Sequence, residues 1–288
     1  MNAVHTLRFQ HHINILCRVL RVSRSTYYKH FHHAPAPRTL ENQKIRSAIL
    51  ELYAKSGKRF GAYKIRQRLS VEYGISISVG RVYRLMKSIQ LPKMSTIKPK
   101  AVFPANTSDS DCPNHLKQNF NPPAPNQVWV SDITYIRVNG RFYYLCVVID
   151  LFARKIVAYR LSPKMNAQLA IDTFQSAWND RGQPAGLLFH SDRGCQYTAK
   201  EFRTLLDDCN VVQSFSAKGH PYDNAVAESF FKFLKLEETN RKSYCSLHDL
   251  QLSLFTYIHF YNTMRPHGAN SYLTPNEKEL AFEEVFPS

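Results

Sequence analysis

Three closely spaced apolar runs, VWVSDITYIRV (128–138), RFYYLCVVID (141–150) and KIVAYRL (155–161), constrain this chain more than any other feature. Each is rich in β-branched and aromatic residues, as half-buried strands require. Only Asn139 and Gly140 separate the first two, and that pair supplies the positive φ angles of a tight hairpin turn. The pattern predicts a three-strand antiparallel meander. One residue sits badly in it. Asp132 interrupts the first strand between Trp129, Val130, Ile133 and Tyr135, where strand propensity disfavours it and burial of an ionised carboxylate without a partner is costly.

Downstream the periodicity changes. A helical pattern covers 166–180, a short apolar strand GLLFH 186–190, a helix 198–208, a strand 211–214, a helix 224–238 and a final helix 247–262 before a short tail. Three hairpin strands followed by alternating helix and strand predict an α/β domain with a mixed five-stranded sheet flanked by helices, of the ribonuclease H-like kind.

Upstream the sequence is all-α. Residues 13–31 place apolar residues at helical spacing on either side of a turn at Val22 and Ser23, which is helix-turn-helix grammar. A second block has helical segments at 41–54, 61–69 and 79–89, the last with Arg81, Arg84 and Lys87 recurring every three residues on one face. From 91 to 125 the chain turns Pro-, Ser- and Asn-rich and reads as a linker. The expected units are a short helix-turn-helix segment over 1–36, a helix-turn-helix DNA-binding domain over 37–92, a linker over 93–124, a catalytic core over 125–240, and a C-terminal helix and tail over 241–288.

Charge separates these units. The formal net charge of +16 is concentrated in residues 1–100, which hold 20 Lys and Arg against 3 Asp and Glu, whereas residues 101–288 hold 18 against 19. A block so one-sided attracts a polyanion by its long-range field and by counterion release, and double-stranded DNA is the partner expected for it. Arg81, Arg84 and Lys87 are candidates for phosphate or base-edge contact; an ordinary solvated basic helix is the alternative. The six cysteines are scattered without a CxxC pair, and the histidines crowded near the start (His5, His11, His12, His30, His32, His33) have no cysteine pair at ligand spacing, so neither a disulfide framework nor a zinc site is expected. No secretory signal and no run of eighteen apolar residues is present, which points to a cytoplasmic protein without a membrane partner.

Phosphodiester chemistry without a covalent enzyme intermediate calls for carboxylates that can hold divalent cations. Besides Asp132, Asp192 follows directly on the strand GLLFH and Glu228 lies in the helix NAVAESFFKFLK. Taken singly, Asp192 could be a loop or capping acid and Glu228 an exposed helix residue. Their spacing is more informative: 35 residues lie between them. With Asp132 upstream this resembles the D,D-35-E pattern of transposases and retroviral integrases. The flanking words HSDRGCQYTAKEF, SFSAKGHPYDNAVAESFFKFLK and YNTMRPHGAN, then TP, resemble the OrfB transposases of the insertion sequence three family over essentially the whole chain.

The resemblance implies that Asp132, Asp192 and Glu228 are the catalytic triad, holding two Mg²⁺ or Mn²⁺ ions for DNA cleavage and strand transfer. It implies that Lys235, two turns after Glu228 on the same face, contacts the DNA end. Asn224, one turn before Glu228, faces the site and either binds substrate or caps the helix with Asp223. His190 and Gly194 shape the loop presenting Asp192, although a core histidine is the plainer reading of His190. Asp150 matches a family position but reads as a turn residue, and Arg265 and His267 belong to a late motif whose role the residues do not reveal. Expected partners are the terminal inverted repeats and target DNA, a homo-oligomer assembled on them, and an upstream OrfA segment as partner or fusion. A purely hydrolytic ribonuclease H-type enzyme and a non-catalytic DNA-binding regulator are the rival readings.

Overall fold

A computed structural model describes residues 2–31, 36–92, 112–217 and 221–286 of the chain. His32, His33 and most of the expected linker lie outside the described residues. Three short helices come first: α1 (Asn2–Leu7), α2 (Ile13–Val19) and α3 (Arg24–Phe31), enclosing a small core of Val4, Leu16, Cys17 and Tyr27. The turn between α2 and α3 ends at Ser23, whose Oγ accepts from the Thr26 N–H at 3.2 Å and so covers an open donor of the α3 N-terminus.

The second helical unit comprises α4 (Pro37–Lys55), α5 (Ala62–Tyr73) and α6 (Val79–Ser88). Its ends obey local rules. Pro37 opens α4 at a position where its missing N–H costs nothing, Gly74 closes α5 in the left-handed region at φ 65°, and Ser78 caps α6 by accepting from Arg81 N. Ile45, Ile49, Leu52, Ile65, Leu69 and Val82 bury the apolar faces of the three helices against one another.

Strands β1 (Val128–Val138), β2 (Arg141–Asp150) and β3 (Lys155–Ser162) form the expected meander, and Asn139 (φ 46°) with Gly140 (φ 79°) makes the tight turn. Helix α7 (Ala167–Asp180) begins at Asn166, whose side chain accepts from Leu169 N. Then follow β4 (Leu188–Ser191), α8 (Cys195–Thr198), α9 (Lys200–Asp208) and β5 (Val212–Phe215). The helix expected over 198–208 is α9, and the short α8 precedes it, separated because Ala199 is extended (ψ 140°) and turns the chain between them. A 3₁₀ turn at Pro221–Asn224 leads into α10 (Ala225–Glu237), followed by α11 (Leu247–Thr263) and α12 (Pro275–Val285). The expected tail is thus largely helical: Thr274 and Glu277 form a capping box, and Glu279 ties α12 to the end of α7 through Arg181 (2.6 Å) and to β3 through Lys155 (2.5 Å).

The sheet order is β3-β2-β1-β4-β5, with β1 antiparallel to β2 and parallel to β4. This places β1 centrally and brings the middle of β1, the carboxyl end of β4 and the start of α10 together. Helices α7, α8 and α9 cover one sheet face around Trp129, Phe174, Phe189 and Phe202; α10 and α11 cover the other around Val130, Val147, Phe230 and Tyr257. That second core is continuous with the α4–α6 core. Residues 112–120 also pack on the sheet: the Ser214 Oγ accepts from the His115 and Leu116 N–H groups, so this part of the expected linker is built into the domain. No helix among the described residues is long and apolar enough to cross a membrane.

Candidate active site

Asp132 sits where β1 leaves its partner. Pairing of β1 with β4 covers only Val128, Trp129 and Val130, so beyond Val130 that edge of β1 faces the start of α10. Asn224 closes the gap. It is buried, and its Nδ2 donates to the Ser131 carbonyl at 3.1 Å, fixing the first turn of α10 beside Asp132. No side-chain cap bond is made by Asn224, and its Oδ1 is buried without a hydrogen-bond partner. The neighbouring Asp223 is buried and accepts from Asn114 Nδ2, Gln118 Nε2 and Ala217 N, each at 2.8 Å, so it ties the 112–120 segment and the chain after β5 to the foot of the same helix.

Helix α10 buries Ala227, Phe230, Phe231 and Leu234, at i, i+3, i+4 and i+7, which leaves Glu228 exposed and Lys235 half-buried on its other side. Asp192 follows β4 directly and accepts from the Gly194 N–H at 3.0 Å. The approach is close: a Cβ on residue 194 would stand 3.0 Å from Asp192 Oδ1 and 2.6 Å from Gln196 Oε1, so a larger residue would displace these side chains. His190, under this loop, is fully buried between Ser214 Oγ (2.9 Å) and Ser216 Oγ (3.2 Å), and burial pushes it down to about 4. It is a neutral core histidine that holds β4 to β5.

The three acids share one electrostatic neighbourhood. Asp132 is pushed up to about 8, first by burial and then by the negative charges of Asp192 and Glu228, against the opposing pull of the Ile133 N–H and Lys235. Burial raises Asp192 and Glu228 as well. Lys235 is lowered by burial and held up by Asp132, and its Nζ lies 5.3 Å from the Tyr135 ring centroid. As placed, no three His, Cys, Asp or Glu side chains among the described residues are close enough together to hold a metal ion. The donor chemistry nonetheless fits one: all three groups are hard oxygen donors, and the mutual repulsion of desolvated carboxylates is what a bound cation relieves.

At the other end of α10 the acids are paired. Glu237 is buried and accepts from Arg265 Nε (2.9 Å) and Nη2 (2.9 Å), from Lys64 Nζ (2.9 Å) and from Tyr257 Oη (3.0 Å). The Arg265 guanidinium also lies 4.0 Å from the Phe233 ring centroid. Glu238, equally buried, accepts from Arg59 Nη2 (2.7 Å), Ser253 Oγ (2.5 Å) and Lys242. Arg59 and Lys64 belong to the α4–α6 unit, so these two glutamates fasten that unit to the helix that begins near Glu228. This gives Arg265 a role that its motif did not reveal. His267 lies in the following turn, pushed down to about 3 by burial and by the charge of Arg265. Asp150 is likewise structural, accepting from Asn126 N (2.6 Å) and Phe152 N (2.8 Å) at the end of β2.

Of the expected DNA-contact residues on α6, Arg84 and Lys87 are exposed, while Arg81 is engaged within its own unit by Glu41 Oε2 (2.7 Å) and Asn42 Oδ1 (2.9 Å).

Comparison with known proteins agrees with this layout. Residues 122–221 and 210–275 match families described as integrase core domain, and residues 40–95 match an HTH-like domain. The chain is 34% identical over 270 residues to the transposase InsF of insertion sequence IS3A from Escherichia coli K12, covering 93% of each. The chain belongs to the insertion sequence three family of transposases. A 31 kDa protein of insertion element IS600 from Shigella sonnei is 33% identical over 94% of this chain and 98% of its own length. Among solved structures, the HTLV-2 integrase catalytic core domain in complex with magnesium matches 55% of this chain and 98% of its own at 18% identity and a TM-score of 0.45. The transposase is therefore a DDE-type polynucleotidyl transferase acting in DNA transposition, with an HTH-like DNA-binding domain ahead of an integrase core.

Proposed function

We propose that Asp132, Asp192 and Glu228 are the catalytic acids of this transposase and that they hold two Mg²⁺ or Mn²⁺ ions for in-line cleavage and strand transfer. The observation that carries this reading is the electrostatic convergence: Asp132 rises to about 8 partly because Asp192 and Glu228 bear on it, although the three come from β1, the loop after β4, and α10. Bound divalent ions would supply the positive charge that favours deprotonation of an attacking water or 3′-hydroxyl and neutralises the departing 3′-oxygen.

The protein's own groups do the placing. Asp132 is held on a central strand, Asn224 locks the base of α10 against Ser131, and Gly194 lets the Asp192 carboxylate lie close to the backbone. Lys235, on the Glu228 face of α10, supplies a cation for a phosphate next to the reacting one. The basic helical units, with Arg84 and Lys87 exposed and Arg81 partly committed to Glu41, grip the terminal repeat. Joining requires two ends at once, which supports an oligomer on DNA and a role for an OrfA partner in assembling it. A hydrolytic nuclease would need the same acids but not the helical units fastened to α10.

The test is cleavage and joining of a labelled terminal-repeat duplex with Mg²⁺ or Mn²⁺, with and without OrfA. Glu228→Gln should abolish joining, a loss on the order of 10³-fold or more, while DNA binding persists. Joining that survives in this variant would sink the assignment.

A further inference from the structure

The β1–β2 hairpin carries large aromatic side chains that the core does not use. Tyr135 is 60% exposed and Phe142 50%, and their rings meet edge to face with centroids 5.3 Å apart. The register explains the cluster. Tyr135 lies opposite Tyr144 and Arg137 opposite Phe142, so these four side chains share one face of the hairpin. Tyr144 is half-buried, and Arg137 is exposed on the same face as the rings, whereas Arg141, paired with Val138, is exposed on the other face.

The patch adjoins the reacting centre. Lys235 spans the two: its ammonium bears on the Asp132 carboxylate and lies 5.3 Å from the Tyr135 ring centroid. Three residues of strand separate Asp132 from Tyr135, roughly 10 Å or about three nucleotides at the 3.4 Å rise of one DNA strand; the two side chains leave opposite faces of β1, and Lys235, which bears on both, bridges them at the strand edge that β4 leaves unpaired beyond Val130. Flat exposed rings flanked by cations are the surface on which unpaired bases stack while their phosphates meet positive charge. An apolar protein segment would gain nothing from Lys235 and Arg137 beside the rings.

We propose that Tyr135 and Phe142 form a stacking platform for unpaired bases within about three nucleotides of the reacting phosphate, so that the transposase engages a frayed DNA end in preference to a fully paired one. The proposal rests on the active-site assignment above for its geometry. Holding the end open keeps the strand in line with the acids and lets Lys235 bind the phosphate between platform and triad.

The experiment uses the full-length protein without divalent metal, so that binding is read apart from chemistry. Two terminal-repeat duplexes are compared, one fully paired and one with its last three base pairs mismatched, and a third carries 5-iodouracil in the mismatched stretch for photocrosslinking. The wild type should bind the frayed end about tenfold more tightly than the paired end and crosslink at Tyr135 or Phe142. Tyr135→Ala combined with Phe142→Ala should remove the preference and leave paired-end affinity unchanged; Tyr135→Trp should keep it. A preference unaltered by the double alanine variant, or crosslinks that map elsewhere, would overturn the platform. Because both substitutions are at exposed positions, an unchanged thermal midpoint confirms that loss of preference is not loss of fold. Failure of the triad assignment shows separately, as joining that survives Glu228→Gln, and leaves this binding comparison to decide the platform.

Discussion

The two ends of helix α10 hold acidic residues under opposite conditions. Near its start, Glu228 faces Asp132 and Asp192, and all three are raised. At its close, Glu237 and Glu238 are both lowered, because Arg265 and Lys64 hold one and Lys242, Ser253 and Arg59 hold the other strongly enough to outweigh burial. Lys64 is the weaker partner of Glu237: burial and the nearby Arg265 charge push its ammonium down to about 8. The same residue type on one helix is thus a structural anchor where the chain supplies its counter-charge and a proposed metal ligand where it withholds it.

The most severe test of this contrast applies one chemical change to both ends. Glu228→Gln should remove joining while leaving the thermal midpoint unchanged or slightly raised, since it deletes a repulsive charge. Arg265→Met should do the reverse to the fold, leaving Glu237 buried and short of its main partner at a cost of about 3–5 kcal/mol, measured by denaturant unfolding. If Arg265→Met unfolds at the wild-type midpoint, the ion pair is not the anchor described.

Next in size is the response to metal. In chelator, Asp132→Asn should be more stable than the wild type, because a desolvated acid beside two others has been neutralised. With Mg²⁺ or Mn²⁺ at a hundred times its dissociation constant, the wild type should gain about 2.7 kcal/mol and the variant should gain little. Equal gains in both proteins would show that the ion binds elsewhere.

The smallest effect is in pH, where the two ends should oppose each other. Glu237 and Glu238 have folded values below their unfolded ones, so their contribution is present above about pH 4.5 and is lost as pH falls further. Asp132 is raised from 3.8 to about 8, so in metal-free protein its contribution declines as pH climbs through that interval. Unfolding titrations should show Arg265→Met flattening the acid limb and Asp132→Asn flattening the neutral one. A neutral limb unchanged by Asp132→Asn would mean that this carboxyl is solvated.

Much of this contrast was legible only at one end. Asp132 stood out because a strand pattern of period two made an acid anomalous, and its companions were found by spacing and flanking words. The strands themselves were readable because Asn139-Gly140 fixes the register locally. Glu237 and Glu238 gave no such signal: an acid in the last turn of a helix looks solvated, and its partners lie 28 residues ahead in Arg265 and 173 residues behind in Lys64. Helix α12 reads as a tail although Thr274 and Glu277 spell a capping box with Pro275 after the cap, since few of its residues are apolar and buried and its periodicity is weak. Tyr135 and Phe142 were read as ordinary strand residues, because alternation does not distinguish a core face from a hairpin tip that extends past its covering helices.

The fastening of α5 to the end of α10 acts as a calliper. Nine residues of helix separate Glu228 from Glu237, roughly 13 Å at 1.5 Å per residue, or about four base pairs of duplex. One jaw is the HTH-like unit and the other is Glu228, proposed above as a catalytic acid. With the joint between them held by buried charge, the proposed chemistry would take the position of the cut from the position of the grip, and a register error of a single base pair would fall as strain on the DNA.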